Sequence, residues 1–216
     1  MRYRILYLSL AFAALPCAYG ALIFDNGSFN SLNGNNMSDF HQAEDFVLLT
    51  NFNVTGFSFY TLEGTTPPSY IGSITYSIRA NSAGQPGAVI LTGNVTPTRT
   101  ANGTALGFNV FQNDVTIGST NLAAGTYWLV LHDGLTSDVT FQDFYWATTN
   151  VTAGNTGTNR GREQSLNPAS ATWDPNLEEH AFTVSGTPAG GVPEPASIFL
   201  IGGGLALLSA KRKFLV

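Results

Sequence analysis

The sequence predicts an all-β protein, a jelly-roll-like antiparallel β-sandwich, and three observations support that prediction. Apolar and polar residues alternate with a period of two in residues 54–61, 74–79 and 108–110, which is the pattern of a half-buried strand. Clusters of glycine, asparagine and proline, such as residues 81–87, separate the alternating runs and indicate turns. Between the two ends of the chain, no segment longer than about ten residues has helical spacing.

Three further runs have the composition of strands. Residues 127–131 are almost wholly apolar, as expected for a strand buried on both faces. Residues 139–146 are rich in aromatic side chains, and residues 181–184 form the last predicted strand. Two packed sheets with about eight to ten strands in all would bury these runs. Residues 25–42 and 148–171 are rich in Asn, Gly and Ser and are expected to be loops.

The first 20 residues have the pattern of a cleavable secretory signal peptide. Two arginines precede an apolar run at residues 5–15, and the small residues of Ala18-Tyr19-Gly20 suit a cleavage site before Ala21. The run is too short to remain as a membrane helix, which needs about 20 apolar residues. The only cysteine, Cys17, lies in this segment, so the mature chain is expected to have no disulfide.

The last residues form a three-part pattern of motif, apolar run and basic stop. The motif is Pro193-Glu194-Pro195, and the stop is Lys211-Arg212-Lys213. A helix over the intervening run, about fifteen apolar positions, would span roughly 23 Å, short of a hydrocarbon core of about 30 Å. The basic stop would lie in the cytoplasm, which leaves residues 21–192 outside. The residues predicted to anchor this helix in the membrane are Ala196, Ile198, Phe199, Leu200, Ile201, Leu205, Leu207 and Leu208.

This three-part pattern resembles the PEP-CTERM sorting signal of Gram-negative bacteria. An ordinary single-pass tail anchor is the alternative, whereas a buried helix would not normally end in three basic residues. The resemblance implies recognition by an exosortase, transient membrane anchoring after export across the inner membrane, and display at the cell surface or release into an exopolysaccharide matrix. The predicted division is a signal peptide (1–20), a β-sandwich domain (21–187), a linker (188–192) and the sorting signal with its transmembrane helix (193–216).

The charge of the predicted exported part excludes one class of partner. Residues 21–192 contain four arginines, no lysine and thirteen acidic residues, a formal net charge of −9. Binding to DNA or RNA requires a basic patch that can contact phosphates. We therefore expect no nucleic-acid partner.

A second resemblance concerns the domain itself. Residues 42–48, the turn at residues 81–88 and the strand at residues 125–129 are similar to β-sandwich domains often paired with surface anchors. Those domains resemble carbohydrate-binding modules in architecture, which implies the fold and no particular chemistry.

Sugar binding is the site chemistry that we expect. An aromatic ring near a strand end or loop combines an apolar face with polar neighbours and can stack on a pyranose. We therefore predict a non-enzymatic structural or glycan-contacting protein associated with extracellular polysaccharide, with no catalytic residues. The candidate stacking residues are Tyr60, Tyr70, Tyr145, Trp146 and Trp173. Trp128, inside an apolar strand, is expected to be core.

The alternative is a secreted polysaccharide-active enzyme of the glycoside hydrolase type. It would need two carboxyl groups facing each other, about 5 Å or 6.5–9.5 Å apart. The candidate acids are Glu44, Asp45, Asp143, Glu178 and Glu179. Adjacent residues point to opposite sides of a strand, so neither Glu44 with Asp45 nor Glu178 with Glu179 forms a facing pair of carboxyl groups by itself.

No cofactor is predicted from a recognised motif, and calcium is the ion that the sequence suits best. Carboxylates in or beside a flexible loop, together with backbone carbonyls, could complete its shell of about six to eight oxygens. The candidate ligands are Asp25, Asp39 and Asp45. The three histidines are isolated and have no zinc-site spacing.

Overall fold

The structure, a computed structural model, describes residues 20–65, 69–135, 142–150, 163–167, 172–176 and 178–190. The predicted signal peptide, with the exception of Gly20, lies outside the described residues. So do the sorting motif, the anchor residues and the basic stop of residues 193–216. Within the described ranges, no helix is long and apolar enough to cross a membrane.

All regular structure in these ranges is β-strand. The fourteen strands are β1 (Ala21–Asp25), β2 (Phe29–Asn36), β3 (His41–Leu48), β4 (Phe52–Glu63), β5 (Ile74–Ser82), β6 (Gln85–Val95), β7 (Thr98–Ala105), β8 (Phe108–Leu122), β9 (Gly125–Asp133), β10 (Phe144–Thr149), β11 (Glu163–Asn167), β12 (Thr172–Asn176), β13 (Glu179–His180) and β14 (Phe182–Pro188).

The strands form two sheets in which the paired strands are antiparallel. The eight-stranded sheet has the order β1-β14-β4-β10-β13, with β2 added on β10, β8 on β4 and β7 on β8. The six-stranded sheet has the order β12-β11-β3-β9-β5-β6. β4 is the centre of the first sheet, because β8 pairs along one edge and β14 and β10 share the other.

The main hydrophobic core lies between the inner faces of the two sheets. Phe24 of β1 contacts Phe46 of β3, with ring centroids 5.9 Å apart. Phe57 of β4 contacts Tyr76 of β5 at 5.4 Å. Burial of many such apolar side chains provides most of the free energy that holds the sheets together. The predicted antiparallel β-sandwich is therefore confirmed.

Gly56 allows β4 and β8 to approach closely at a bulge in β4. A Cβ atom at position 56 would lie 2.5 Å from the backbone oxygen of Val115 and 3.0 Å from Oγ of Ser185. No side chain fits in that space without moving the neighbouring backbone. The glycine is thus required by the close packing of three strands.

Two predicted loops contain strands, and those predictions are wrong in part. Within residues 25–42, β2 pairs with β10, and β3 begins at His41. Within residues 148–171, β10 continues to Thr149 and β11 pairs with β3. These polar segments form strands because ladder hydrogen bonds to neighbouring strands satisfy their backbone groups, a contribution that side-chain alternation does not reveal.

Candidate functional site

The outer face of the eight-stranded sheet carries a group of aromatic side chains, here called the aromatic face. It consists of Phe29, Tyr60, Phe108 and Tyr145, and each ring is half-buried. Phe29 lies 5.2 Å from Tyr60, and Phe108 lies 5.4 Å from Tyr145, between ring centroids. The first pair is tilted and the second meets edge to face, so the rings form an apolar ridge rather than a flat plane.

Strand alternation explains why these rings face outward. In β4, Phe59 points into the core between the sheets, so Tyr60 points to the opposite side. In β10, Phe144 and Trp146 point into the core and Tyr145 points outward. Beneath the aromatic rings lies a small apolar layer, which the rings shield from solvent. Its buried members are Leu62, Ala105, Val110 and Ala147.

Polar side chains lie beside the rings in fixed positions. The hydroxyl of Tyr60 donates to Oε1 of Gln112 at 3.3 Å, and Nε2 of Gln112 donates to Oδ1 of Asp114 at 3.0 Å. Asp114 also accepts a hydrogen bond from the hydroxyl of Ser58. This row on β4 and β8 places amide and carboxylate groups next to apolar ring surface.

Tyr145 is held from two sides. Its hydroxyl donates to Oδ1 of Asp143 at 2.9 Å. Burial, and next this hydrogen bond and the charge of Asp143, raise the pKa of Tyr145, so the hydroxyl keeps its proton. On β2, a Cβ atom at Gly34 would lie 2.9 Å from Cβ of Tyr145 and 3.0 Å from Cδ1 of Leu62. Gly34 therefore leaves room for the Tyr145 side chain to lie across the neighbouring strand.

Three of the five predicted stacking residues lie elsewhere. Trp146 has no exposed surface and stacks on His180, with ring centroids 4.2 Å apart, so its prediction as a sugar-stacking residue is wrong. Tyr70 packs on Phe144 at 5.8 Å and carries the guanidinium of Arg99 4.0 Å above its ring. Both residues hold the core together and have no ring face free for a ligand.

Trp173 is the remaining candidate, and it lies on the opposite side of the molecule. It is half-buried on β12 of the six-stranded sheet, where it packs on the cluster of Ala43, Trp128 and Val130. Trp128 is fully buried, as predicted. Trp173 therefore does not belong to the aromatic face.

Two of the candidate acids, Glu44 and Glu179, lie close enough in the interior to interact electrostatically. Glu44 of β3 accepts a hydrogen bond from the backbone N–H of His180. Nδ2 of Asn26 donates to Oε2 of Glu179 at 3.1 Å and also to the backbone oxygen of His180. Burial raises the pKa of Glu44 to about 8, partly offset by the contact with His180. Glu44, Glu179 and His180 are each 2 % exposed or less, so a glycosidic bond could not reach this pair of carboxyl groups.

The other three candidate acids are dispersed. Asp45 lies on the outer face of the six-stranded sheet, on the side of β3 opposite Glu44, and is buried. Asp143 is exposed and accepts from Tyr145, while Glu178 accepts from Nδ2 of Asn33. The expectation that Glu44 and Asp45 point to opposite sides of a strand is confirmed.

The candidate calcium ligands do not form a cluster. Asp25 is exposed and accepts from the backbone N–H of Gly27, Asp39 is half-buried, and Asp45 is buried in β3. Across the residues that the structure describes, no group of three or more His, Cys, Asp or Glu side chains could hold a metal ion. Calcium binding by these residues stays a prediction that their geometry does not support.

The similarity to known proteins lies at the C-terminal end of the chain. Residues 191–213 match the family model described as the PEP-CTERM protein-sorting motif. The match confirms the resemblance read from Pro193-Glu194-Pro195, the apolar run and the basic stop. The motif marks an exported protein that an exosortase sorts at the membrane toward the cell surface. No curated protein sequence matches the chain.

Proposed function

We propose that this chain, which carries a PEP-CTERM sorting motif, is a non-enzymatic β-sandwich protein that contacts extracellular polysaccharide through the aromatic face. The observation that carries the proposal is the placement of four half-buried aromatic rings, Phe29, Tyr60, Phe108 and Tyr145, on the outer face of one sheet. The sorting motif supports the proposal, because sorting toward the cell surface would bring that face near extracellular polysaccharide.

The chemistry of the aromatic face suits a sugar chain. A pyranose has apolar C–H surfaces that pack on aromatic rings, and hydroxyl groups that need hydrogen-bond partners. Gln112, Asp114 and Asp143 supply such partners beside Tyr60 and Tyr145. The ridge is open and sits on a regular sheet, so it suits an extended chain rather than a small molecule enclosed in a pocket.

The arrangement of acids supports a binding role over hydrolysis. Among the candidate acids, Glu44 and Glu179 share one site, and that site is buried. Retaining and inverting glycosidases both need a carboxyl pair that flanks the bond to be cleaved. Asp143, the exposed candidate, is engaged by the hydroxyl of Tyr145.

A glycan array probed with the full-length chain in detergent tests the proposal. We expect binding to neutral oligosaccharides that Tyr60→Ala and Phe108→Ala each weaken by about tenfold, the value of a well-packed aromatic contact of about 1.4 kcal/mol. Leu22→Ala, which removes an exposed apolar side chain from β1 away from the aromatic face, is the matched control. Equal binding by all four proteins would contradict the proposal.

A reducing-sugar assay on the glycans that bind separates the binding protein from an enzyme. We expect no release of reducing ends. Release that disappears in Asp143→Ala or Glu178→Ala would show hydrolysis by an acid pair and would overturn the non-enzymatic part of the proposal.

A further inference from the structure

The outer face of the six-stranded sheet, on the other side of the molecule from the aromatic face, has a small cleft whose mainly apolar lining includes a few polar groups. Strand register places Ser77 beside Val130 and Arg79 beside Trp128 on this face. The ring of His41 meets that of His132 edge to face, with centroids 4.8 Å apart. The cleft between these side chains has a volume of about 80 Å³.

Arg79 is the cation of this cleft, and it has unused hydrogen-bond donors. Its Nε donates to Oγ of Ser77 at 3.1 Å, and one terminal nitrogen donates to the backbone oxygen of Gly87 at 3.4 Å. In the described part of the chain, no carboxylate pairs with Arg79, whereas Arg99 is paired with Glu63. A half-buried guanidinium without an anion is unusual in a domain with this excess of acid, since buried charges are normally paired.

His41 adds a second polar group that lacks a partner. Its Nε2 atom is buried and makes no hydrogen bond among the described residues. Burial, then electrostatic repulsion from His132 and Arg79, lowers the pKa of His41 to about 4. The imidazole is therefore neutral near pH 7 and can present one N–H to a ligand without adding charge.

The remaining polar groups on this face are already engaged. The hydroxyl of Thr75 donates to the backbone oxygen of Gly134, and that of Thr92 to the backbone oxygen of Tyr76. His132 and Asp45 are buried, and both have contacts of their own. The donors left for a ligand thus belong to Arg79 and His41.

We propose that Arg79 and His41 bind the carboxylate of an acidic sugar, a uronate, with the sugar ring lying toward Trp173. The cleft is well below the roughly 300 Å³ of pockets that enclose a small molecule, so it fits one functional group. The guanidinium fork matches a carboxylate in shape and charge. The guanidinium carbon of Arg79 lies over the Trp173 ring, 5.8 Å from its centroid, so a sugar attached to a bound carboxylate would lie beside this half-buried indole. This inference rests on the proposed function and adds the class of polysaccharide.

Isothermal titration calorimetry tests the inference, with trigalacturonate titrated into the full-length chain in detergent. We expect binding that weakens with added salt, and that falls about tenfold or more when the carboxyl groups are methyl esters, the contribution of a charge-assisted hydrogen bond. Arg79→Gln should cause a similar loss, and Arg79→Lys should restore only part of it because the planar fork is missing. Asn121→Ala, on an exposed part of β8, is the control.

The outcomes separate this inference from the proposed function. Equal affinity for the acid and its methyl ester in the unmodified chain overturns the inference, whether or not Arg79→Gln folds. Equal affinity for acetate and for trigalacturonate would indicate a site for free anions and would overturn it too. If neutral oligosaccharides bind through Tyr60 while the acid gains nothing, the proposed function stands and the uronate site fails. If binding depends on Arg79 and not on Tyr60, the uronate site stands and the aromatic face fails as the proposed contact with polysaccharide.

Discussion

One oxygen of the Glu44 carboxyl group contacts His180 twice, accepting from its backbone N–H at 2.9 Å and lying 3.2 Å from Nδ1 of its ring. Glu44 belongs to the six-stranded sheet and His180 to the eight-stranded sheet, and both side chains have no exposed surface. The contact therefore joins the two sheets through their core. Removing one partner from such a buried pair leaves a polar group without compensation.

Stability should fall as pH rises through the titration of Glu44. Burial, against the opposing influence of His180, raises the pKa of Glu44 from 4.5 to about 8. The folded protein then holds a proton that the unfolded chain releases, so the stabilisation is complete below pH 4.5 and is lost on the way to pH 8. Urea unfolding at several pH values should show this decline, and Glu44→Gln should remove most of it. The same decline in Glu44→Gln would contradict the assignment.

The titration of His41 changes the stability in the opposite direction at the lower pH values of that range. Its pKa is lowered from 6.5 to about 4, so the unfolded chain binds a proton that the folded protein does not, and stability from this group rises from pH 4 to 6.5. The contribution of Glu44 is therefore cleanest above pH 6.5. Glu178→Gln, which changes a carboxyl group outside the buried pair, should keep the decline and serves as the control.

The pair of Arg99 and Glu63 should be strongly coupled. Arg99 lies between the rings of Tyr70 and Phe111, at 4.0 and 4.2 Å, and forms an ion pair with the buried Glu63. Arg99→Met should lower the free energy of unfolding by about 3–5 kcal/mol, because Glu63 is left buried without its cation. The double variant with Glu63→Gln should recover much of that loss in urea unfolding. A loss in the double variant equal to the sum of the single losses would contradict the coupling.

Replacing each of two glycines in neighbouring strands by alanine should change the stability in opposite directions. A Cβ at Gly56 would meet the backbone oxygen of Val115 at 2.5 Å, whereas nothing lies within 4 Å of a Cβ at Gly118. Gly56→Ala should therefore destabilise by about 1–3 kcal/mol. Gly118→Ala should stabilise by roughly 0.5–1 kcal/mol, because it restricts the unfolded chain. Thermal unfolding of both variants checks the pair, and equal shifts would contradict the packing around Gly56.

Changes to the sorting motif should alter where the chain resides. Replacing Pro193, Glu194 and Pro195 by alanine removes the motif within the matched residues 191–213. We expect the altered chain to stay with the inner membrane, because the exosortase no longer recognises it, while the unaltered chain reaches the cell surface. Cell fractionation with immunoblotting measures the distribution, and Gly190→Ala is the control. An unchanged distribution would contradict the role of the motif.

The sequence predicted the central strands well because residues 54–61 alternate between apolar and polar side chains and residues 127–131 are almost wholly apolar. Residues 54–61 and 127–131 lie in β4 and β9, whose inward side chains form the core. β2 was missed because Phe29–Asn36 is polar and is stabilised by backbone pairing with β10. Strands defined by ladder hydrogen bonds rather than by side-chain burial leave little trace in hydrophobic periodicity.

The candidate site was predicted in part, and the errors have a physical cause. Tyr145 and Trp146 are neighbours in one strand and cannot both face outward, so period-two alternation could have assigned one of them to the core. Phe29 and Phe108 were overlooked because phenylalanine is usually a core residue. The contact between Glu44 and His180 joins residues 136 positions apart, and no local pattern in the sequence encodes it.

The most direct measurement of the central claim is affinity electrophoresis of the full-length chain, in detergent, through gels containing the exopolysaccharide of its own host. We predict that the unaltered chain is retarded and that the double variant Tyr60→Ala and Phe108→Ala, shown by circular dichroism to be folded, migrates as it does in a gel without polysaccharide. Equal retardation of the two proteins would contradict the account, as would free migration of the unaltered chain.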